Sequence, residues 1–496
     1  MKAKVSKKCM AFLALLSAAA TAVALTSCHQ NNTSKTATSA ASATATSDSA
    51  TPESSAEEAT SAASASKKLS ESDITVNDTI ENSVGGEHAV TADGESKTIS
   101  NTLVTKTGDS NGDEADFYGE NAAVFATNGG TLTLSDMVIK TDGAHANAVF
   151  SYGEGTTVNI SDSYISTAGN CSGGLMTTGG GTMNAQNLTI ETSGNSSAAI
   201  RSDRGGGTVN VTGGWYSTSG KGSPVIYSTA DITVSDAELS SSASEGVVVE
   251  GKNSVTLNNV DLTADHNVHN SDKSDNYQAV MIYQSMSGDA AQGKSAFTMN
   301  GGTLSNQNGD VFFVNNTVTD ISLSNATITN NGDGVFLRAA AAGWGNEGSN
   351  GGQVTLNADS QTINGDMVVD SVSNLNLYLK NSSTFTGAIN SDGEAGEVYV
   401  EIEDGSTWTL TADSYITSLS CGTGAIDLNG HKLYVDGKEY TQGSASTGTA
   451  IEAVVSTSGG GAPGDMPGGD KPSGEPPEKP DGDKPSGEPP AKPDED

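Results

Sequence analysis

Pairs of apolar residues set two positions apart recur through the middle of this chain: Leu132/Leu134, Val158/Ile160, Met183/Ala185, Val209/Val211, Ile232/Val234, Val255/Leu257, Phe297/Met299, Ile321/Leu323 and Val354/Leu356. Successive spacings are 26, 25, 26, 23, 23, 42, 24 and 33 residues. Self-similarity at a period of roughly 20 to 50 residues marks stacked supersecondary units, because one unit alone cannot bury its apolar face. Five residues beyond the second member of the first eight pairs stands another apolar residue: Ile139, Ile165, Ile190, Tyr216, Leu239, Leu262, Leu304 and Ile328. Between these two segments sits Asp136, Asp162, Asn187, Gly213, Asp236, Asn259, Gly301 or Asn325. Such residues tolerate a left-handed backbone and make tight corners. A third segment is a short apolar run after a Gly/Asn-rich stretch, as in Val124-Phe125, Val149-Phe150, Leu175-Met176, Val225-Ile226, Val247–Val249, Val280–Ile282, Val311–Phe313 and Val335–Leu337.

Alternation with period two predicts strands, and no window carries the 3.6-residue period over the length a helix needs. Each unit repeats the same strand order in the same direction, so like strands stack side by side in parallel. The expected fold is all-β: a parallel β-helix over residues 71–445, with three strands per rung and about 12 rungs, forming a rod of about 60 Å. A propeller or sandwich would need hairpin turns and units of roughly 40 to 50 residues, longer than the dominant spacing. The composition, 34% apolar and 5% aromatic, suits a solenoid, whose thin core asks for about two inward residues per strand. Asn, Ser and Thr at equivalent corners are expected to stack as polar ladders.

The ends read differently. Lys2, Lys4, Lys7 and Lys8 precede an apolar run from Met10 to Leu25, the layout of a signal peptide over residues 1–27. Leu25-Thr26-Ser27-Cys28 resembles the bacterial lipobox, which implies a diacylglyceryl group on the Cys28 thiol; two acyl chains suffice for stable attachment. The expected address is the extracellular face of the cell membrane. Residues 28–70 are Ser/Ala/Thr-rich and cannot bury enough apolar area to order themselves, so they read as a disordered stalk. Residues 446–496 are Gly- and Pro-rich and acidic, with a 13-residue unit repeated at Asp470 and Asp483, and read as a disordered tail with extended polyproline character.

The net charge is −36; losing four lysines and no acids with the signal peptide would take it to about −40, which disfavours nucleic acid as a partner. Cys171 and Cys421 fall many rungs apart and should not pair.

The segment Ser406-Thr-Trp-Thr-Leu-Thr-Ala-Asp-Ser-Tyr-Ile-Thr-Ser-Leu419, followed by Ala425-Ile-Asp-Leu-Asn-Gly-His-Lys-Leu-Tyr-Val-Asp-Gly437, resembles the closing rungs of adhesin-like and autotransporter-passenger-like right-handed β-helix proteins of the pectin-lyase-like superfamily. The resemblance spans roughly residues 70 to 445. It implies a right-handed coil but not an activity, since that superfamily includes adhesins, glycan-binding proteins, polysaccharide lyases and hydrolases. The Gly-His-Gly and paired-Asp signatures of polygalacturonase-like relatives are missing.

No cluster of catalytic groups stands out. Arg201 and Arg204, placed at a rung corner, are expected to anchor surface carboxylates, and Asp265-His266 to lie with His269 in a solvated loop. Asp109, Asn111, Asp113 and Asp116 offer alternating oxygens around Gly112 and form the candidate calcium site; calcium is the one candidate cofactor. Rung regularity breaks at residues 264–276, 285–295 and 339–352, the last two enlarging one corner two rungs apart. Trp344, with Tyr277, Tyr283 and His266, forms the candidate glycan site there. The expected function is a non-enzymatic, lipid-anchored adhesin or carbohydrate-binding protein, monomeric, with the membrane and a polysaccharide or host or cell-wall glycan as partners. A tethered polysaccharide lyase or glycoside hydrolase, and a purely structural envelope protein, are the alternatives.

Overall fold

A computed structural model describes residues 67–394 and 396–453, all within one compact unit. The expected signal peptide, Cys28, most of the expected stalk and the proline-rich repeats lie outside the described residues. Each of the three sequence segments builds its own long sheet. First segments form thirteen strands, from Ser96–Ser100 to Ser418–Cys421; second segments form ten, from Asp78–Asn82 to Thr327–Asn330; third segments form eleven, from Val90–Asp93 to Asp366–Val369. Toward the C-terminal end a four-stranded sheet beginning at Thr362–Asn364 follows the second-segment one. Every strand pairs in parallel with the same segment one unit along, except Leu433–Val435 with Lys438–Glu439. This is a parallel β-helix. Thirteen strands spaced about 4.8 Å apart give a rod of about 58 Å.

The repeating pairs line up as their spacing predicts. Leu132 lies beside Val158, Val158 beside Met183, and Met183 beside Val209. All four are buried in one core that runs the length of the coil. One register differs: Ile321 lies beside Leu356 and Leu323 beside Ala358, so the ninth pair is Leu356/Ala358, not Val354/Leu356. Apolar alternation continues through Val354, Leu356 and Ala358, and a two-residue slip keeps the same faces inward. The insertion just before that strand removes the length cue that would have fixed it.

The corner residues adopt the left-handed backbone expected of them, with φ of 52° at Asp136, 49° at Asp162, 52° at Asn187 and 68° at Gly213. Polar ladders run beside them. Asn210 Nδ2 donates to Asn184 Oδ1 at 3.0 Å, and Asn184 Nδ2 to Asn159 Oδ1 at 2.9 Å. A buried serine ladder lines the corner leading into the third segment. Ala146 N–H donates to Ser172 Oγ, Ser172 N–H to Ser197 Oγ and Ser197 N–H to Ser223 Oγ, each at 2.9 Å. The backbone there is too close for side chains: a Cβ on Gly194 would stand 1.8 Å from Gly169 O, and one on Gly220 1.8 Å from Gly194 O.

Three expectations give way. Arg201 lies in the strand Ile200–Ser202, not at a corner. Ordered packing begins before residue 71, where Leu69 N–H donates to Thr189 Oγ1 at 2.9 Å. It also extends past residue 445: Ser446 bridges Cys421 and Ile451 N–H donates to Asn376 Oδ1 at 2.8 Å. Both terminal stretches find hydrogen-bond partners on the coil, which their composition does not reveal. Cys171 and Cys421 are free thiols.

Candidate functional site

Alternation along each third-segment strand turns one residue outward for every residue it buries. The outward row Phe125, Phe150, Met176, Arg201, Tyr227, Val248, Met281, Phe313 and Arg338 runs in register from rung to rung. Apolar residues on an outer wall need cover, and the rung insertions supply it. At one end Ala122 and Tyr152 close over Phe125, Phe150 and Met176. At the other, Ala340, Ala342 and Trp344 of the 340–351 loop close over Val248, Met281, Tyr283 and Phe313.

Beside this second cover lies a hollow of about 110 Å³, lined among others by Tyr227, Glu245, His266, Gln278, Tyr283 and Trp344. Two insertions meet across it. Gly343 N–H donates to Lys273 O at 2.7 Å, and Lys273 Nζ donates back to Gly343 O at 2.9 Å. A Cβ on Gly343 would come within 2.9 Å of Lys273 Cα, so the bridge requires glycine. Asn350 Nδ2 holds the Trp344 loop by donating to the carbonyls of Ala342 and Trp344 at 2.7 and 2.8 Å. Trp344 meets Tyr283 edge-on at 5.2 Å between ring centroids. His269 stacks on Tyr277 at 4.1 Å, and His266 packs edge-on against the same ring at 5.0 Å.

The polar groups are arranged in two tiers. Lining the hollow, Glu245 Oε1 accepts from Gln278 Nε2 at 2.9 Å and lies 3.6 Å from His266 Nδ1. Burial pushes His266 below its ordinary range against the pull of Glu245, so the ring is neutral at pH 7. Behind the wall, Glu250 accepts from the hydroxyls of Tyr283, at 3.1 Å, and Tyr227. Burial raises Glu250 and raises both phenols, with the Glu250 charge adding to the effect. Arg201 binds the buried Asp203 at 2.8 Å. Arg204 reaches Asp113 at 2.9 Å and Asp289 at 2.5 Å, with its guanidinium 3.7 Å over the Phe117 ring. Both arginines therefore anchor carboxylates, although Asp203 is not at the surface.

Trp344, Tyr283 and His266 share one hollow, with Tyr277 stacked just behind it. The facing walls are the 264–276 and 340–351 insertions, not the pair that enlarges one corner; the remaining insertion sends Asp289 to Arg204. His266 is 5% exposed, which corrects its placement in a solvated loop. Sequence reasoning missed Tyr227, Glu245, His269 and Gln278. The repeat gave no signal for them: Glu245 and Gln278 each stand two residues before an inward valine of the third segment, Val247 and Val280, on the face that strict alternation would bury.

The candidate calcium residues do not converge. Asp109 accepts from Ala144 N–H at 2.7 Å, Asp113 pairs with Arg204, Asp116 accepts from or shares a proton with His145 Nδ1 at 2.6 Å, and Asn111 is exposed. The second half of that loop is a five-residue helix, Asp113–Phe117, with acids in its first turn, where they oppose the positive end of the helix dipole. Asp113 and Asp116 lie three apart, on one side of the helix, yet each is already taken, by Arg204 and by His145. No family model, curated protein or solved structure matches this chain.

Proposed function

We propose that this chain is a surface-displayed carbohydrate-binding protein on a right-handed β-helix of the pectin-lyase-like kind, tethered through a lipid on Cys28. The observation that carries the reading is the hollow between Trp344 and the His266/His269/Tyr277 group, where apolar ring faces stand beside the hydrogen-bonding groups Glu245, Gln278, Asn270 and Asn276. A sugar ring needs both: an apolar face to pack on an aromatic ring, and donors and acceptors for its hydroxyls. At about 110 Å³ the hollow is well below the roughly 300 to 1,000 Å³ of buried small-molecule sites, so it takes one residue or the edge of a chain. Glu245 in the lining, with no lysine or arginine beside it, and the net charge of −36 favour neutral or amino sugars over uronate polymers.

Hydrolysis is the second reading, favoured by the Glu245–His266 pair. Paired catalytic carboxylates flank the scissile bond, whereas the partners of Glu245 are His266 and Gln278. Glu250 is also sealed behind Tyr227 and Tyr283. These features support binding without cleavage. Full-length protein probed on an array of neutral, amino and uronate glycans is expected to retain a neutral or amino class, and Trp344→Ala to lose it while keeping the strand-dominated circular dichroism of the parent. Equal retention by the variant refutes the assignment, release of shorter glycans moves it to an enzyme, and neither binding nor cleavage leaves a structural envelope protein. Tethering is tested by Cys28→Ser, which should move the protein from the membrane fraction to the medium.

A further inference from the structure

One corner of the coil carries side chains that its geometry does not ask for. Before the third segment, successive rungs repeat one bond: His145 N–H donates to Asn170 O at 2.8 Å, Cys171 N–H to Asn195 O at 2.8 Å and Ser196 N–H to Lys221 O at 3.0 Å. His145, Cys171, Ser196 and Gly222 are therefore equivalent, and all are left-handed, with φ of 57°, 54°, 55° and 61°. The backbone is ordinary for this fold; histidine and cysteine one rung apart are not. Glycine or asparagine would meet the conformational demand more simply. One rung earlier the equivalent position is Ser110, whose N–H donates to Ala144 O at 3.1 Å. From that point the chain inserts the loop that brings Asp116 back over His145.

We propose that Asp116, His145 and Cys171 form a binding site for a zinc-class transition-metal ion. One ligand atom from each lies within 4.8 Å of the other two, and all three side chains are partly exposed, so an ion can enter. Ligand bonds of about 2.0 to 2.3 Å at tetrahedral angles set donors roughly 3.3 to 3.8 Å apart. The site needs small side-chain adjustments: the 2.6 Å Asp116–His145 contact opens and the wider gap closes. The donors select the metal. Calcium takes six to eight oxygens, whereas one carboxylate oxygen, one imidazole nitrogen and one thiolate sulfur suit zinc, cobalt or copper. The ion takes Cys171 as thiolate, the thiol proton passing to solvent, and His145 as a neutral ring. Three protein ligands leave a fourth position for water or an external group.

Chelator-treated full-length protein, kept reduced, is titrated with Co(II), then with Zn(II) as competitor. The expected result is one Co(II) per chain with a thiolate-to-cobalt charge-transfer band and the visible absorption of a four-coordinate ion, both displaced by Zn(II) and not by excess Ca(II). Cys171→Ser places at this corner the residue that Ser196 already carries in the same conformation, so the fold is expected to persist. That variant should lose the charge-transfer band and bind more than tenfold more weakly. His145→Asn, also suited to the left-handed backbone, should weaken binding by a similar factor. A parent spectrum without the charge-transfer band, or a band that survives Cys171→Ser because Cys9, Cys28 or Cys421 supplies it, overturns the proposal. So does a Cys171→Ser variant that binds Co(II) as tightly as the parent.

Discussion

Ser197→Ala tests whether the rungs are joined by specific buried bonds as well as by the apolar lining. Ser197 is fully buried. Its hydroxyl accepts from Ser172 N–H at 2.9 Å and donates to Gly169 O at 3.1 Å. Alanine leaves the Ser172 N–H without a partner where water cannot reach, at about 1 to 3 kcal/mol for a buried unsatisfied donor. Loss of the bond to Gly169 O adds about 1 kcal/mol. No cavity larger than one oxygen is made, so the total expected loss is roughly 2 to 4 kcal/mol. The exposed Ser219, whose hydroxyl donates to Thr192 O at only 3.4 Å, is the control: Ser219→Ala should change stability by less than about 0.5 kcal/mol. Urea denaturation reads both as shifts in midpoint at constant slope, and native-state hydrogen exchange should show lost protection at the Ser172 amide. A loss under about 0.5 kcal/mol for Ser197→Ala, with the Ser172 amide still protected, would refute the ladder as a source of stability.

Phe312 is fully buried between Phe297 and Phe336, both at 5.5 Å between centroids; Phe312→Ala should cost about 3 to 5 kcal/mol by urea melts, and a cost below about 1 kcal/mol would place that ring outside the core. His88 and His266 titrate near 6.5 when unfolded, and burial holds both lower in the folded chain. The unfolded chain then binds protons that the native chain refuses, so stability should be full above about pH 6.5 and fall as pH drops below it. His266→Gln should flatten that slope in urea midpoints taken from pH 8 to 5; an identical slope would contradict the assignment. Gly343→Ala forces apart the Lys273–Gly343 bridge and should weaken glycan retention with an unchanged urea midpoint, whereas full retention would mean the bridge does not shape the hollow.

The coil was legible from residues whose burial is dictated locally. Inward positions must be apolar on every rung, so Leu132, Val158 and Val209 announce both the strand period and the stacking period. Asp136, Asp162 and Asn187 mark their corners because few other side chains accept a positive φ. Register was less secure where alternation ran on: Val354, Leu356 and Ala358 satisfy two alignments, and only the observed pairing with Ile321 chooses between them.

The sites divide along the same physical line. Trp344, Tyr283 and His266 could be named from sequence because they stand in or beside insertions that break the repeat. Their meeting with Glu245, Gln278 and Tyr227 depends on which rungs the insertions lean across, set by contacts such as Gly343 with Lys273, some 70 residues apart. The chain by itself determined the repeat, the inward lining and the left-handed corners, since each rests on the character of a residue and its near neighbours. Tertiary structure alone decided that Asp116 leaves an apparent calcium loop for His145 and Cys171, because two successive rungs, 29 and 55 residues further along the chain, bring those partners to it.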